Sequence, residues 1–66
     1  MNIFLNGEPR EAGVQTTLSI LVSELSLTSK RLAIEVNEEV VPRSRYEEFA
    51  LCEGDKVEIV HAIGGG

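Results

Sequence analysis

Apolar residues in this chain keep two different periods, and the switch between them restricts the fold more than any other feature. Leu18, Leu21, Val22 and Leu25 recur at i, i+3, i+4 and i+7, which is one stripe along a helix. Thr16 or Thr17 stands where an N-cap belongs, and Ile20 falls off the stripe and is expected to be partly exposed. On both sides the period drops to two. Before the stripe, residues 1–5 and 8–12 read as strands joined by Asn6-Gly7, the dipeptide best suited to the two positive φ angles of a type I′ hairpin turn. Pro9 offers no amide proton, which suits an edge or a strand start. After the stripe, Leu32, Ile34 and Val36 alternate with Ala33 and Glu35, as in a half-buried strand. Asn37-Glu38-Glu39 reads as a turn. Val40-Val41 starts a short strand that Pro42 limits. Residues 43–50 are polar and irregular, with Tyr46 and Phe49 expected to anchor them inward. Glu53-Gly54-Asp55 marks another turn. The last strand is expected from about Lys56 to Ile63, with Val57, Ile59, His61 and Ile63 on one face and Glu58, Val60 and Ala62 on the other.

The predicted order is β-β-α-β-β-β, with the first and fifth strands read as the longest apolar ones. A hairpin, one helix and then more strands make an α+β layer pair. That arrangement is the β-grasp: a mixed sheet of about five strands packed on one helix, over residues 1–63, with 64–66 as a glycine tail. At 66 residues a chain buries only about 60% of its unfolded surface, and its core supplies on the order of 3–5 kcal/mol. Cys52 is the only cysteine and His61 the only histidine. No internal disulfide and no Cys/His zinc site can be built from them. The opening Met-Asn-Ile-Phe-Leu lacks the features of a signal peptide, and no apolar run approaches the roughly 20 residues that span a bilayer. The expected compartment is the cytoplasm.

The formal charge is −5, and 8 of the 11 acidic residues lie between Glu35 and Glu58. Nucleic-acid-binding domains neutralise phosphates with a basic face, so neither DNA nor RNA is an expected partner. A basic protein partner fits such a surface, and so does plain solubility. Catalysis needs a nucleophile, a base and an orienting group in hydrogen-bond reach, and no such set is visible. His61 reads as a surface or half-buried packing residue. Cys52 in Ala50-Leu51-Cys52 reads as a buried, inert one. Glu38-Glu39 and Glu47-Glu48 read as solvated charge. Arg43 and Arg45 either grip a partner's carboxylates or balance local charge.

The chain closes on Gly64, Gly65 and Gly66. These cannot be a phosphate loop, which needs a helix after it. Three extended glycines reach roughly 10 Å beyond a fold. They either fray, as termini commonly do, or pass through a slot too narrow for side chains and present the Gly66 carboxylate to another protein.

A β-grasp ending in glycines resembles the ubiquitin-like proteins, and within them the ThiS family of sulfur carriers. The likeness rests on the opening Met-Asn-Ile-Phe-Leu-Asn-Gly-Glu, on residues 33–44 (AIEVNEEVVPRS), and on Gly54-Asp55-Lys56-Val57-Glu58-Ile59-Val60 followed by Ala62-Ile63-Gly64-Gly65-Gly66. Glu38 departs from it, since many relatives carry glycine after the asparagine. The resemblance implies a co-substrate rather than an enzyme, with no cofactor or metal bound. A ThiF-like adenylating enzyme would use ATP to activate Gly66. A cysteine desulfurase system would supply sulfur, giving a thiocarboxylate. A ThiG-like thiazole synthase would take that sulfur into the thiazole ring of thiamin. Gly64 and Gly65 would be the threading segment, and Val60, Ala62 and Ile63 the docking residues. Rival readings with the same tail are the small subunit of molybdopterin synthase and a ubiquitin-like modifier of lysines. A passive interaction module is a third.

Overall fold

The structure is a computed structural model and describes residues 1–27 and 31–61. Its elements are β1 (Asn2–Leu5), β2 (Glu8–Glu11), α1 (Leu18–Glu24), β3 (Leu32–Val36), β4 (Glu39–Val41), a 3-10 turn over Arg43–Arg45, and β5 (Lys56–His61). The strands form one sheet in the order β2-β1-β5-β3-β4. β1 and β5 run parallel, and the other neighbours are antiparallel. β2 is therefore an edge, and Pro9 sits there as expected. The five strands and single helix meet the α+β expectation. Two details differ. β3, with five residues, is longer than β1, with four. Glu39 is the first residue of β4 rather than the end of the turn, because its pairing with Val36 already belongs to the ladder.

Period two decides which side of the sheet each residue faces. Ile3, Ile34, Val36, Val41, Val57 and Ile59 are buried on the inner side, where they meet Leu18, Leu21 and Val22 of α1. Ile3, Leu18, Leu21, Ile34 and Val57 have no appreciable exposure at all. Ile20, off the stripe, is exposed. The helix is short but well terminated. Thr17 is its N-cap in extended conformation, and its Oγ1 accepts from the Ile20 N–H at 3.2 Å. The two N–H groups before that one go to carbonyls of the irregular segment: Leu18 donates to Phe49 O at 3.0 Å and Ser19 to Tyr46 O at 3.1 Å. Residues 46–49 thus satisfy donors that a helix start always leaves over. Buried Tyr46 and half-buried Phe49 hold that segment in place. At the other end Ser26 adopts φ 60. Leu27 donates back to Val22 O and Ser26 to Ser23 O, both at 3.0 Å, a Schellman closure with serine where glycine is commonest.

Two tight turns join the hairpins. Asn6 and Gly7 have φ 51 and 85, and Asn37 and Glu38 have φ 53 and 71. Both are therefore turns of the I′ kind. Each asparagine also binds β5. Asn6 Oδ1 accepts from the Ile59 N–H at 2.8 Å, while its own N–H donates to Val57 O at 2.8 Å. Asn37 Oδ1 accepts from the Lys56 N–H at 3.0 Å, and its amide nitrogen donates to Asp55 Oδ1 at 3.0 Å. The other oxygen of Asp55 accepts from the Cys52 N–H at 2.8 Å. β5 is therefore clasped from both neighbouring strands.

Candidate functional site

Strand β5 leads into the glycines, and its surroundings decide what a partner of the tail would meet. Within the sheet it is hydrogen-bonded on both sides, to β1 and to β3. His61, its last residue, pairs with Leu32. Ala62, Ile63, Gly64, Gly65 and Gly66 lie outside the described residues. Of the expected docking residues, the structure describes Val60. It is 59% exposed and stands on the outer side of the sheet opposite Ala33.

The helix covers one side of the sheet and leaves the other to solvent. That outer side carries exposed Phe4, Val40 and Val60, together with Lys56, Glu58, Ala33 and Glu35. The register sets Phe4 beside Lys56, Glu35 beside Val40, and Glu35 directly opposite Glu58. Sequence reasoning found Val60 because alternation opposes it to Val57 and Ile59. It missed Phe4 and Val40 as companions, and it missed the Glu35–Glu58 pair. The available signal was a polar or exposed residue at each outward position, but only strand order brings them together.

Other candidates disperse. Cys52 is exposed, not buried as expected. It follows buried Leu51 and opens the turn that Asp55 closes, which turns its side chain out of the core. His61 is exposed. Arg45 pairs with Glu48 through Nε at 3.1 Å, which is local charge balance; Arg43 also has an interaction of its own. Among the described residues, no cluster of His, Cys, Asp or Glu has the makings of a metal site, and no helix is long and apolar enough to cross a membrane. An open groove of about 180 Å³ lies on the helix side between α1 and β3, with Val22, Leu27, Leu32 and Tyr46 among its lining. It is below the size usual for ligand pockets.

A mixed sheet of five strands with a single helix on one face, its last strand held between the first and the third, defines a ubiquitin-like β-grasp protein. The chain belongs to the ThiS family, whose model matches residues 3–66. Among similar proteins, the sulfur carrier protein ThiS of Bacillus subtilis is 40% identical over 50 residues, 76% of either chain. The crystal structure of the thiamine biosynthesis protein ThiS of Geobacter metallireducens aligns over the whole of both chains with a TM-score of 0.85 and 29% identity. A thiazole synthase of Paramagnetospirillum magneticum is 44% identical over all 66 residues, which are 20% of that protein. This chain thus spans about a fifth of that relative's length.

Proposed function

We propose that this protein is a sulfur carrier of thiamin biosynthesis, with Gly66 as the carrying residue. The observation that supports the reading best is the family match, which runs to residue 66 and takes in the triple glycine. A carboxylate is a poor electrophile, so it has to be activated. A ThiF-like enzyme joins an oxygen of the Gly66 carboxylate to the α-phosphorus of ATP, releasing pyrophosphate. A desulfurase draws sulfur from cysteine as a protein persulfide, whose terminal sulfur attacks the carbonyl carbon and displaces AMP; a thiol reductant then cleaves the acyl disulfide by thiol–disulfide exchange and leaves as the oxidised disulfide. The product is a thiocarboxylate. A ThiG-like thiazole synthase then takes the sulfur into the thiazole ring, and the carrier returns with a carboxylate. The thiazole synthase with a segment similar to this whole chain supports that pairing. ATP belongs to the activating partner, and the carrier binds no cofactor of its own. We place the cycle in the cytoplasm.

The carrier's contribution is shape. Gly64 and Gly65 offer no side chain to a narrow channel. Val60, Ala62 and Ile63 give the partner an apolar root to hold, as protein-binding surfaces commonly do. The reading requires a free α-carboxylate on Gly66. Intact mass after incubation with the adenylating enzyme, ATP, a cysteine desulfurase and cysteine tests it. The expected gain is that of one oxygen replaced by one sulfur, absent in a chain lacking Gly66. An unchanged mass with a demonstrably active enzyme overturns the reading.

A further inference from the structure

An asparagine followed by glycine is open to an internal reaction of its side-chain amide, because glycine places no side chain beside the nitrogen that attacks. The chain has three asparagines, and Asn6 alone precedes glycine. Asn2 precedes β-branched Ile3, and Asn37 precedes Glu38. Asn6 and Gly7 are both exposed, and nothing stands within 4 Å of where a Cβ on Gly7 would be, so water reaches the dipeptide. The fold nevertheless holds it in a poor geometry for reaction. Ring closure brings the Gly7 nitrogen onto Cγ of Asn6, with Cβ and that nitrogen nearly eclipsed about the Cα–C bond. Asn6 has φ 51, and the first central residue of a type I′ turn has ψ of about +30°, which sets Cβ and nitrogen far apart. β5 then fixes the residue from two directions. Oδ1 accepts from the Ile59 N–H at 2.8 Å, and the Asn6 N–H donates to Val57 O at 2.8 Å. Swinging Cγ toward Gly7 breaks the first bond and opens the turn.

We propose that Asn6 is a self-modification site, sealed while β1 and β5 are joined and exposed when that end of their seam parts. In the open state the Gly7 amide nitrogen attacks Cγ and gives up its proton. The side-chain nitrogen of Asn6 leaves as ammonia, and a five-membered imide closes. Water then adds to one of its two carbonyls. Opening at Cγ gives aspartate. Opening at the main-chain carbonyl gives isoaspartate, whose backbone runs through the former side chain. The sum is one water consumed and one ammonia released, with no oxidant or reductant. Aspartate keeps an oxygen for the Ile59 N–H. Isoaspartate adds a methylene to the main chain inside a two-residue turn, so its acceptor and its N–H no longer meet β5 together. β5 is the strand that runs on to the glycines, and the modification loosens its anchorage. Chemistry confined to an open form follows the population of that form, so the rate at Asn6 reads how often the seam opens. The site stands whether or not the tail carries sulfur.

The test is timed incubation of the full chain at one pH and temperature, in buffer and in unfolding urea. Peptide mapping reads the mass change from NH2 to OH at each asparagine, and isoaspartyl methyltransferase labelling reads isoaspartate. In urea Asn6 should react well ahead of Asn2 and Asn37. In buffer its rate should fall on the order of tenfold or more. Val57→Ala hollows the core beneath the seam and leaves the dipeptide alone. It should speed the reaction in buffer several-fold and leave the rate in urea unchanged. Val41→Ala, buried on the far edge strand β4, should speed it less at a matched loss of stability. In aged protein the isoaspartate form should melt below the aspartate form. No preference for Asn6 in urea overturns the site. Equal rates in buffer and urea overturn the seal. Equal acceleration by the two valine variants overturns the seam as the gate, because opening is then global.

Discussion

The Asn6-Gly7 and Asn37-Glu38 turns reverse the chain in the same way from different materials. Both place two consecutive residues at positive φ, and both leave an asparagine side chain on β5. At Gly7 the geometry is nearly free, since glycine has no Cβ to strain. The space around Gly7 is also open, with nothing within 4 Å of where a Cβ would be, so conformation and not crowding calls for glycine. Glu38 adopts its φ of 71 at a cost of roughly 1–2 kcal/mol, the usual penalty for an L-residue in that region. The first turn is written into its dipeptide. The second is imposed by its surroundings: the β3–β4 ladder on one side, and the clasp from Asn37 to Lys56 and Asp55 on the other. The lesson is that local preference and tertiary contact are interchangeable at a turn, within a kcal/mol or two.

The asparagines should part company when truncated. Asn6→Ala removes the acceptor of the part-buried Ile59 N–H and puts alanine in the left-handed region. A loss of about 2–3 kcal/mol is expected in urea denaturation, a large share of what so small a domain holds. Asn37→Ala also puts alanine in the left-handed region but breaks only exposed bonds, so it should cost less, roughly 1–2 kcal/mol. Equal losses at the two sites would erase the distinction drawn from burial. Glu38→Gly should act in the opposite direction and stabilise the protein by about 0.5–1 kcal/mol, seen as a higher midpoint at unchanged slope. A neutral result there would mean that the second turn is not strained, and the contrast with Gly7 would fail at its root.

Much of this molecule is legible from spacing alone because its signals are local. Asn6-Gly7, the leucine stripe with Thr17 before it, and the alternation through Leu32, Ile34 and Val36 each specify structure within a few residues. What stays hidden depends on partners far along the chain. The carbonyls of Tyr46 and Phe49 serve the helix start from a distant part of the chain, so a polar stretch that reads as irregular is a cap. Cys52 reads as buried beside Leu51, yet the turn closed by Asp55 leaves it outside. The candidate site divides the same way. The glycines and Val60 stand out in the sequence, whereas the meeting of Glu35 with Glu58 follows from the β3–β5 register.

The parallel pairing of β1 with β5 has a mechanical consequence. A pull on the end of β5, resisted at the start of β1, loads their shared bonds lengthwise and together. Those include Phe4 to Asp55, Asn6 to Val57 and Ile59 to the Asn6 side chain. Such a seam resists in shear, where an antiparallel one pulled from its open end would unzip bond by bond. Traction on the last strand therefore moves the whole body as a rigid weight on a tether. An enzyme that draws the glycines inward would bring the domain against its own surface without unravelling it.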